Sequence, residues 1–82
     1  MKTFRPSLYG PQHTLLREWL VTKRKAANLT QRQLADKLDV VHSLVGKVES
    51  GERRLDVVEF HLYCQAMDAD PAEFFEIVNE AK

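Results

Sequence analysis

Residues 30 to 51 read Thr-Gln-Arg-Gln-Leu-Ala-Asp-Lys-Leu-Asp-Val-Val-His-Ser-Leu-Val-Gly-Lys-Val-Glu-Ser-Gly, two apolar stripes at helical spacing joined by a tight turn. The first stripe is Leu34, Ala35 and Leu38. The second is Val41, Leu44, Val45 and Val48, at i, i+3, i+4 and i+7, which at 100° per residue all fall on one side of a helix. The spacing predicts two short amphipathic helices, packed through these stripes. The other face of the second helix then turns outward with His42, Ser43, Gly46 and Lys47, each small or able to hydrogen-bond.

The flanking sequence continues the helical pattern. Residues 1–13, with Pro6, Gly10 and Pro11, read as an extended arm, and residues 14–82 as one helical domain. A first helix is expected from Thr14 to about Ala27, burying Leu16, Trp19, Leu20 and the stem of Lys23, and ending at Asn28, a residue that tolerates left-handed backbone. Thr30 and Gln33 form a capping box for the second helix, in which each side chain bonds the other's backbone N–H. Asp39 closes it; aspartate accepts the left-handed conformation better than most residues. After the polar loop Ser50 to Arg54, Asp56 and Glu59 make a second capping box. The helix they open places Val57, Phe60, Cys64 and Met67 toward the core. Asp68 ends it, Asp70 caps a fifth helix with Pro71 in its first turn, and Phe74, Phe75 and Val78 turn inward. No segment reads as a strand, so the fold class is all-α, a compact five-helix domain.

Composition limits the partners. Eighty-two residues make one small domain. A single cysteine, Cys64, precludes an internal disulfide and fits a reducing, cytoplasmic setting. No apolar run approaches the roughly 20 residues that cross a bilayer, and no signal peptide opens the chain. The formal net charge is zero, but it is unevenly placed. Residues 17–54 carry nine Lys/Arg against five acids, while residues 55–82 carry seven acids against Lys82. The basic part coincides with the paired short helices, where a phosphate-facing surface would lie.

With these marks in order, the chain resembles the Cro and lambda-repressor, or Xre, family of helix-turn-helix regulators. The resemblance runs from about residue 14 to residue 78. It is carried by Leu29-Thr30-Gln31, Leu34-Ala35, Val45, Val48-Glu49-Ser50-Gly51, Arg53-Arg54-Leu55-Asp56, Met67 and Asp70-Pro71. It implies a partner, double-stranded DNA, and a homodimer that reads an inverted repeat with the third helix in the major groove. It implies base contacts from His42, Ser43 and Lys47, and phosphate contacts from Thr30, Gln31, Ser50, Arg53 and Arg54. It also implies a structural ion pair between Arg24 and Glu49. The residues suit these roles: a helix N-terminus with Thr30 and Gln31 offers N–H groups to a phosphate oxygen, and Lys47 can donate to guanine O6 and N7.

Three positions depart from the family pattern. Val41 stands where Ser or Thr usually caps the third helix, Gly46 lies inside that helix, and Leu44 stands where a small hydroxyl residue is common. They motivate an alternative reading, a protein-interaction module or antitoxin-type adaptor that keeps the fold with little DNA reading. A second apolar row on the fourth helix, Val58, Leu62 and Ala66, with Ile77 on the fifth, is open to two readings. Either the arm folds back over it with Phe4, Leu8 and Tyr9, or it is a dimer surface. An enzyme is disfavoured, since no paired carboxylates, nucleophile with a base, phosphate loop or metal cluster is present. His13, His42 and His61 are not spaced as metal ligands, and no cofactor or small-molecule ligand is evident. Cys64 reads as a packed core thiol.

Overall fold

A computed structural model describes residues 4–81 as five helices: α1 Pro11–Ala26, α2 Gln31–Leu38, α3 Ser43–Ser50, α4 Val57–Ala66 and α5 Pro71–Glu80. Each boundary has a local cause. Gly10 precedes α1 and Pro11 fills its first position, where the missing N–H costs no helical bond. The helix therefore begins three residues before the expected Thr14. Asn28 beyond its end takes φ +60°, and the Leu29 N–H returns to the Arg24 carbonyl at 3.2 Å. Both capping boxes form as the sequence predicts. Thr30 Oγ1 accepts from the Gln33 N–H at 3.0 Å while Gln33 Oε1 accepts from the Thr30 N–H at 2.9 Å. Asp56 and Glu59 do the same for α4, both at 2.8 Å. Asp39 and Asp68 adopt φ +56° and +53° at the ends of α2 and α4. Asp70 accepts from the Ala72 N–H at 3.0 Å, and Pro71 opens α5.

The core is a single cluster. It contains Trp19 and Leu20 of α1, Leu34 and Ala35 of α2, Val45 and Val48 of α3, Phe60, Tyr63 and Cys64 of α4, Met67, and Phe74 of α5. Trp19, Phe60 and Phe74 meet as a triangle of tilted and edge-on rings with centroids 5.8 to 6.1 Å apart, a geometry that aromatic quadrupoles favour. The indole Nε1 donates to Glu73 at 2.9 Å, and Lys23 pairs with the same carboxylate at 2.6 Å, so α1 and α5 are joined at their polar edge. Lys23 also lies 5.9 Å from the Trp19 ring centroid. Burial pushes the Cys64 thiol up to about 11, and the Asp70 carboxylate adds to the shift, as befits a core thiol.

Four expectations are corrected. Val41 is 70% exposed, because α3 starts at Ser43 and Val41 lies outside the helical phase that would have turned it inward. Val57 is 76% exposed; the buried row of α4 starts one turn later and runs Phe60, Tyr63, Cys64 and Met67. Phe75 is half out, at 51%, leaving its edge against Phe60 while Phe74 fills the core. Of the two readings of the second row of α4, cover by the arm is not seen among the described residues: Phe4, Tyr9, Val58 and Leu62 are all exposed, whereas Ala66 and Ile77 pack partly against the core.

Candidate nucleic-acid interface

α2 and α3 pack on each other and α3 packs on α1, so the turn between Leu38 and Ser43 fixes which side of α3 faces outward. Val45 is completely buried and Val48 nearly so, while Ser43 and Lys47 are exposed on the opposite face. Lys47 forms no ion pair among the described residues. His42 precedes α3 and gives its helix no side-chain cap. Its Nε2 instead lies 2.8 Å from Asp36 Oδ1, tying the start of α3 to the last turns of α2. A carboxylate can only accept there, so Nε2 is the donor of this bond.

The first turn of α2 is joined to the far end of α3. Gln31 Nε2 donates to Glu49 Oε1 at 2.9 Å, which leaves the second amide N–H for another acceptor. Glu49 is gripped from the inside by Arg24, whose Nε donates to Oε2 at 2.7 Å and Nη2 to Oε1 at 3.2 Å. Arg24 Nη1 also donates to the Leu29 carbonyl at 2.8 Å. The two side chains are 10% and 8% exposed. This fork-on-carboxylate geometry links α1, α3 and, through Gln31, the N-terminus of α2. Nearby, the Tyr63 hydroxyl is buried without a hydrogen-bond partner among the described residues. Burial holds that phenol protonated well above its ordinary range, and the Glu49 carboxylate pushes the same way.

In the loop after α3, the expected contact residues have partners that sequence spacing did not disclose. Gly51 takes φ +85°, a left-handed conformation that glycine adopts without steric cost. Ser50 Oγ lies 2.7 Å from Glu52 Oε2 and 3.2 Å from the Lys47 carbonyl. Arg53 grips Glu59 through Nη2 at 2.7 Å and donates from Nη1 to the Arg54 carbonyl at 2.7 Å. The Arg53 guanidinium, with help from the Asp56 N–H, holds the Glu59 carboxyl below the usual carboxylate range. Arg54 turns toward the arm: Nη2 donates to the Pro6 carbonyl at 2.6 Å and Nη1 lies 3.3 Å from His13 Nε2. Arg17 of α1, not singled out by the sequence, donates to the Leu8 carbonyl, and its guanidinium lies flat against Gly51.

No group of three His, Cys, Asp or Glu side chains among the described residues is placed to hold a metal ion. No helix of the described residues is long and apolar enough to cross a membrane.

Two short helices set across a tight turn, with α1 packed behind and α3 presenting a polar face, define a helix-turn-helix DNA-binding domain. A helix-turn-helix family model matches residues 20–74. An XRE-family-like protein from Pseudomonas syringae pv. tomato str. DC3000 is 35% identical in sequence, with 87% of each chain covered and a TM-score of 0.80. The restriction-modification controller protein C.Esp1396I shares the fold at 18% identity, with a TM-score of 0.75 over 87% of this chain and 93% of that one. A mutant of that controller protein aligns over 99% of this chain and 94% of its own, at 18% identity and a TM-score of 0.73. No curated protein matches the chain. The chain belongs to the Xre/Cro-lambda-repressor-like helix-turn-helix family, a family of non-enzymatic DNA-binding regulators.

Proposed function

We propose that the protein is a sequence-specific transcriptional regulator that binds an inverted repeat as a homodimer and acts as a repressor by blocking promoter access. The observation that carries this reading is α3, which buries Val45 and Val48 and turns Ser43 and Lys47 outward, with the amide of Gln31 bonded to its last turn. Lys47 would read guanine O6 and N7, and Ser43 and His42 neighbouring edges. Gln31 would give its second amide N–H to a phosphate, alongside Thr30, whose hydroxyl keeps its own proton while accepting from Gln33. Ser50, Arg53 and Arg54 would meet the backbone from the loop, with the charge of Arg53 partly offset by Glu59. Arg24 and Glu49 hold this surface together without touching DNA.

Dimerisation is supported by Val58 and Leu62, exposed apolar side chains on α4; Ala66 and Ile77, partly buried against the core, complete the proposed surface. Leu62 and Ala66 also border an open groove of about 370 Å³ lined by Leu38, Val40, Leu44 and Leu55. One such domain covers a half-site, and a two-fold pair places half-site centres about 34 Å apart.

The test is selection from a random duplex pool with binding scored at two salt concentrations. A recovered palindrome with half-sites one turn apart supports the reading. Absence of any enriched sequence, with a salt-insensitive protein complex instead, would overturn it.

A further inference from the structure

The arm is held on the domain by polar contacts rather than by burial. Phe4 is fully exposed and Tyr9 largely so, while Leu8 is half-buried outside the core cluster. Two guanidinium groups fasten it: Arg54 Nη2 donates to the Pro6 carbonyl at 2.6 Å, and Arg17 Nη1 to the Leu8 carbonyl. The Gly10 N–H closes a turn on the Ser7 carbonyl at 3.0 Å just before α1 begins.

His13, in the first turn of α1, is the third member of this cluster. Its Nε2 lies 3.3 Å from Arg54 Nη1. A guanidinium carries donors only, so Nε2 accepts, and a ring that accepts there is neutral with its proton on Nδ1. The guanidinium is planar and rigid, so fixing Nη1 on His13 also sets the direction in which Nη2 reaches Pro6. The charges acting on the ring are those of Arg54, from the loop after α3, and of Arg17, one turn further along α1. Arg17 Nη2 has only the Thr14 hydroxyl, at 3.4 Å. Arg53 is turned away onto Glu59, and among the described residues no carboxylate forms an ion pair with His13, Arg17 or Arg54.

A proton on His13 removes the acceptor and puts a donor in its place. Nε2–H would then face Arg54 Nη1 with no lone pair between them. The ring also becomes a third cation beside Arg54 and Arg17, with no carboxylate paired to any of the three. Arg54 has to swing off, and Nη2 leaves Pro6 with it. Arg17 alone then holds a segment that has no apolar anchor in the core.

We propose that His13 is a proton-operated latch for the arm: neutral, it steers Arg54 onto Pro6 and residues 4–9 stay docked; protonated, it drives Arg54 off and releases them. Release uncovers the Arg17 and Arg54 side of the loop after α3. The latch works in the free protein, so measuring it without DNA separates its failure from that of the regulator reading.

The experiment is amide nitrogen relaxation on DNA-free wild-type, His13→Gln and His13→Lys protein. Two pH values are used, one unit above and one unit below the wild-type His13 midpoint read from its ring Cε1–H signal. In wild type, order parameters at Ser7, Leu8 and Tyr9 should be about 0.85 above the midpoint and under about 0.6 below it. Glutamine accepts without titrating, so His13→Gln should keep the arm docked at both values. Lysine is a donor with a charge of its own, so His13→Lys should release it at both. A wild-type arm still ordered below the midpoint, or already mobile above it, would overturn the proposal. So would acid release that persists in His13→Gln, or release accompanied by loss of the Leu34 and Phe60 amide signals, which would be unfolding of the whole domain. If His13→Gln does not fold, His13→Lys decides, and a docked arm in that variant sinks the latch.

Discussion

Glu49 Oε1 accepts from Gln31 Nε2 at 2.9 Å, so the residue that opens α2 is held in place by the last turn of α3. Behind that bond, Arg24 and Glu49 form a pair with about nine-tenths of each side chain out of solvent. Removing one partner of such a pair strands a buried charge, whereas replacing both by apolar side chains is often tolerated. Glu49→Ala should therefore cost about 3–5 kcal/mol in urea unfolding. Arg24→Met with Glu49→Leu should recover most of that stability, yet bind all duplexes more weakly because Gln31 has lost its anchor. A double variant with wild-type affinity would show that Gln31 needs no holding.

Tyr63 offers a prediction of the opposite sign. Its hydroxyl is buried with no hydrogen-bond partner among the described residues, and an unsatisfied buried group of that kind costs about 1–3 kcal/mol. Tyr63→Phe should leave stability unchanged or raise it by about 1 kcal/mol. A clear loss in chemical denaturation would mean that the hydroxyl is satisfied in solution, for instance by water.

The glycines of the helix-turn-helix should respond in opposite directions. Gly46 lies inside α3, and a methyl there would meet Gln31 Oε1 at 3.4 Å, within ordinary contact. Gly46→Ala should stabilise by about 1 kcal/mol. Gly51 has φ +85°, and a methyl there would approach Arg17 Nη1 to 3.2 Å. Gly51→Ala should destabilise by about 1–2 kcal/mol. Melting temperatures of the two variants measured side by side decide the matter.

His13 makes stability depend on pH. Burial, then the charges of Arg54 and Arg17, hold its folded-state pKa below the ordinary 6.5. Between the two values the unfolded chain binds the proton and the folded chain does not. The stabilisation is therefore present above pH 6.5 and is lost as pH falls through the folded-state value. His13→Gln should flatten that part of the profile in urea midpoints taken from pH 7.5 to pH 5. An unchanged slope would place the proton uptake elsewhere.

Lys47 and Gln31 should separate reading from holding. Lys47→Ala should lower affinity for the selected duplex by about 1–3 kcal/mol and relax one base position. Gln31→Ala should weaken random and selected duplexes alike. Swapped behaviour in anisotropy titrations would reverse the assignment.

What could be read in advance was whatever is decided within four residues. Thr30 with Gln33 and Asp56 with Glu59 are neighbours on one turn, and both boxes formed. Asn28 and Asp39 took the left-handed backbone expected at helix ends, and Asp68, read only as a helix end, took it too. The Pro11 start of α1 was available by the same rule that placed Pro71, but the arm's other turn residues obscured it. Val41 and Val57 misled because a periodic pattern says nothing about where its helix begins, and both lie at or beyond a helix start. The pairings at the interface were out of reach for a different reason. Gln31 with Glu49, Arg53 with Glu59, and Arg54 with Pro6 and His13 depend on how separate segments meet. Arg17 carries no local sign of its role, since what distinguishes it is the glycine 34 positions later that it rests on.

α2 and α3 have eight residues each, about 12 Å of helix. Segments that short do not persist alone in water, since helices below roughly 12–15 residues are marginal even with favourable sequences. The surface offered to DNA consequently has no existence apart from the closed core beneath it. A substitution that loosens the Trp19, Phe60 and Phe74 triangle will leave each surviving molecule with its full grip and lower the number that survive. Such damage acts as a change of dose, and the same operators would answer to it as they would to reduced expression.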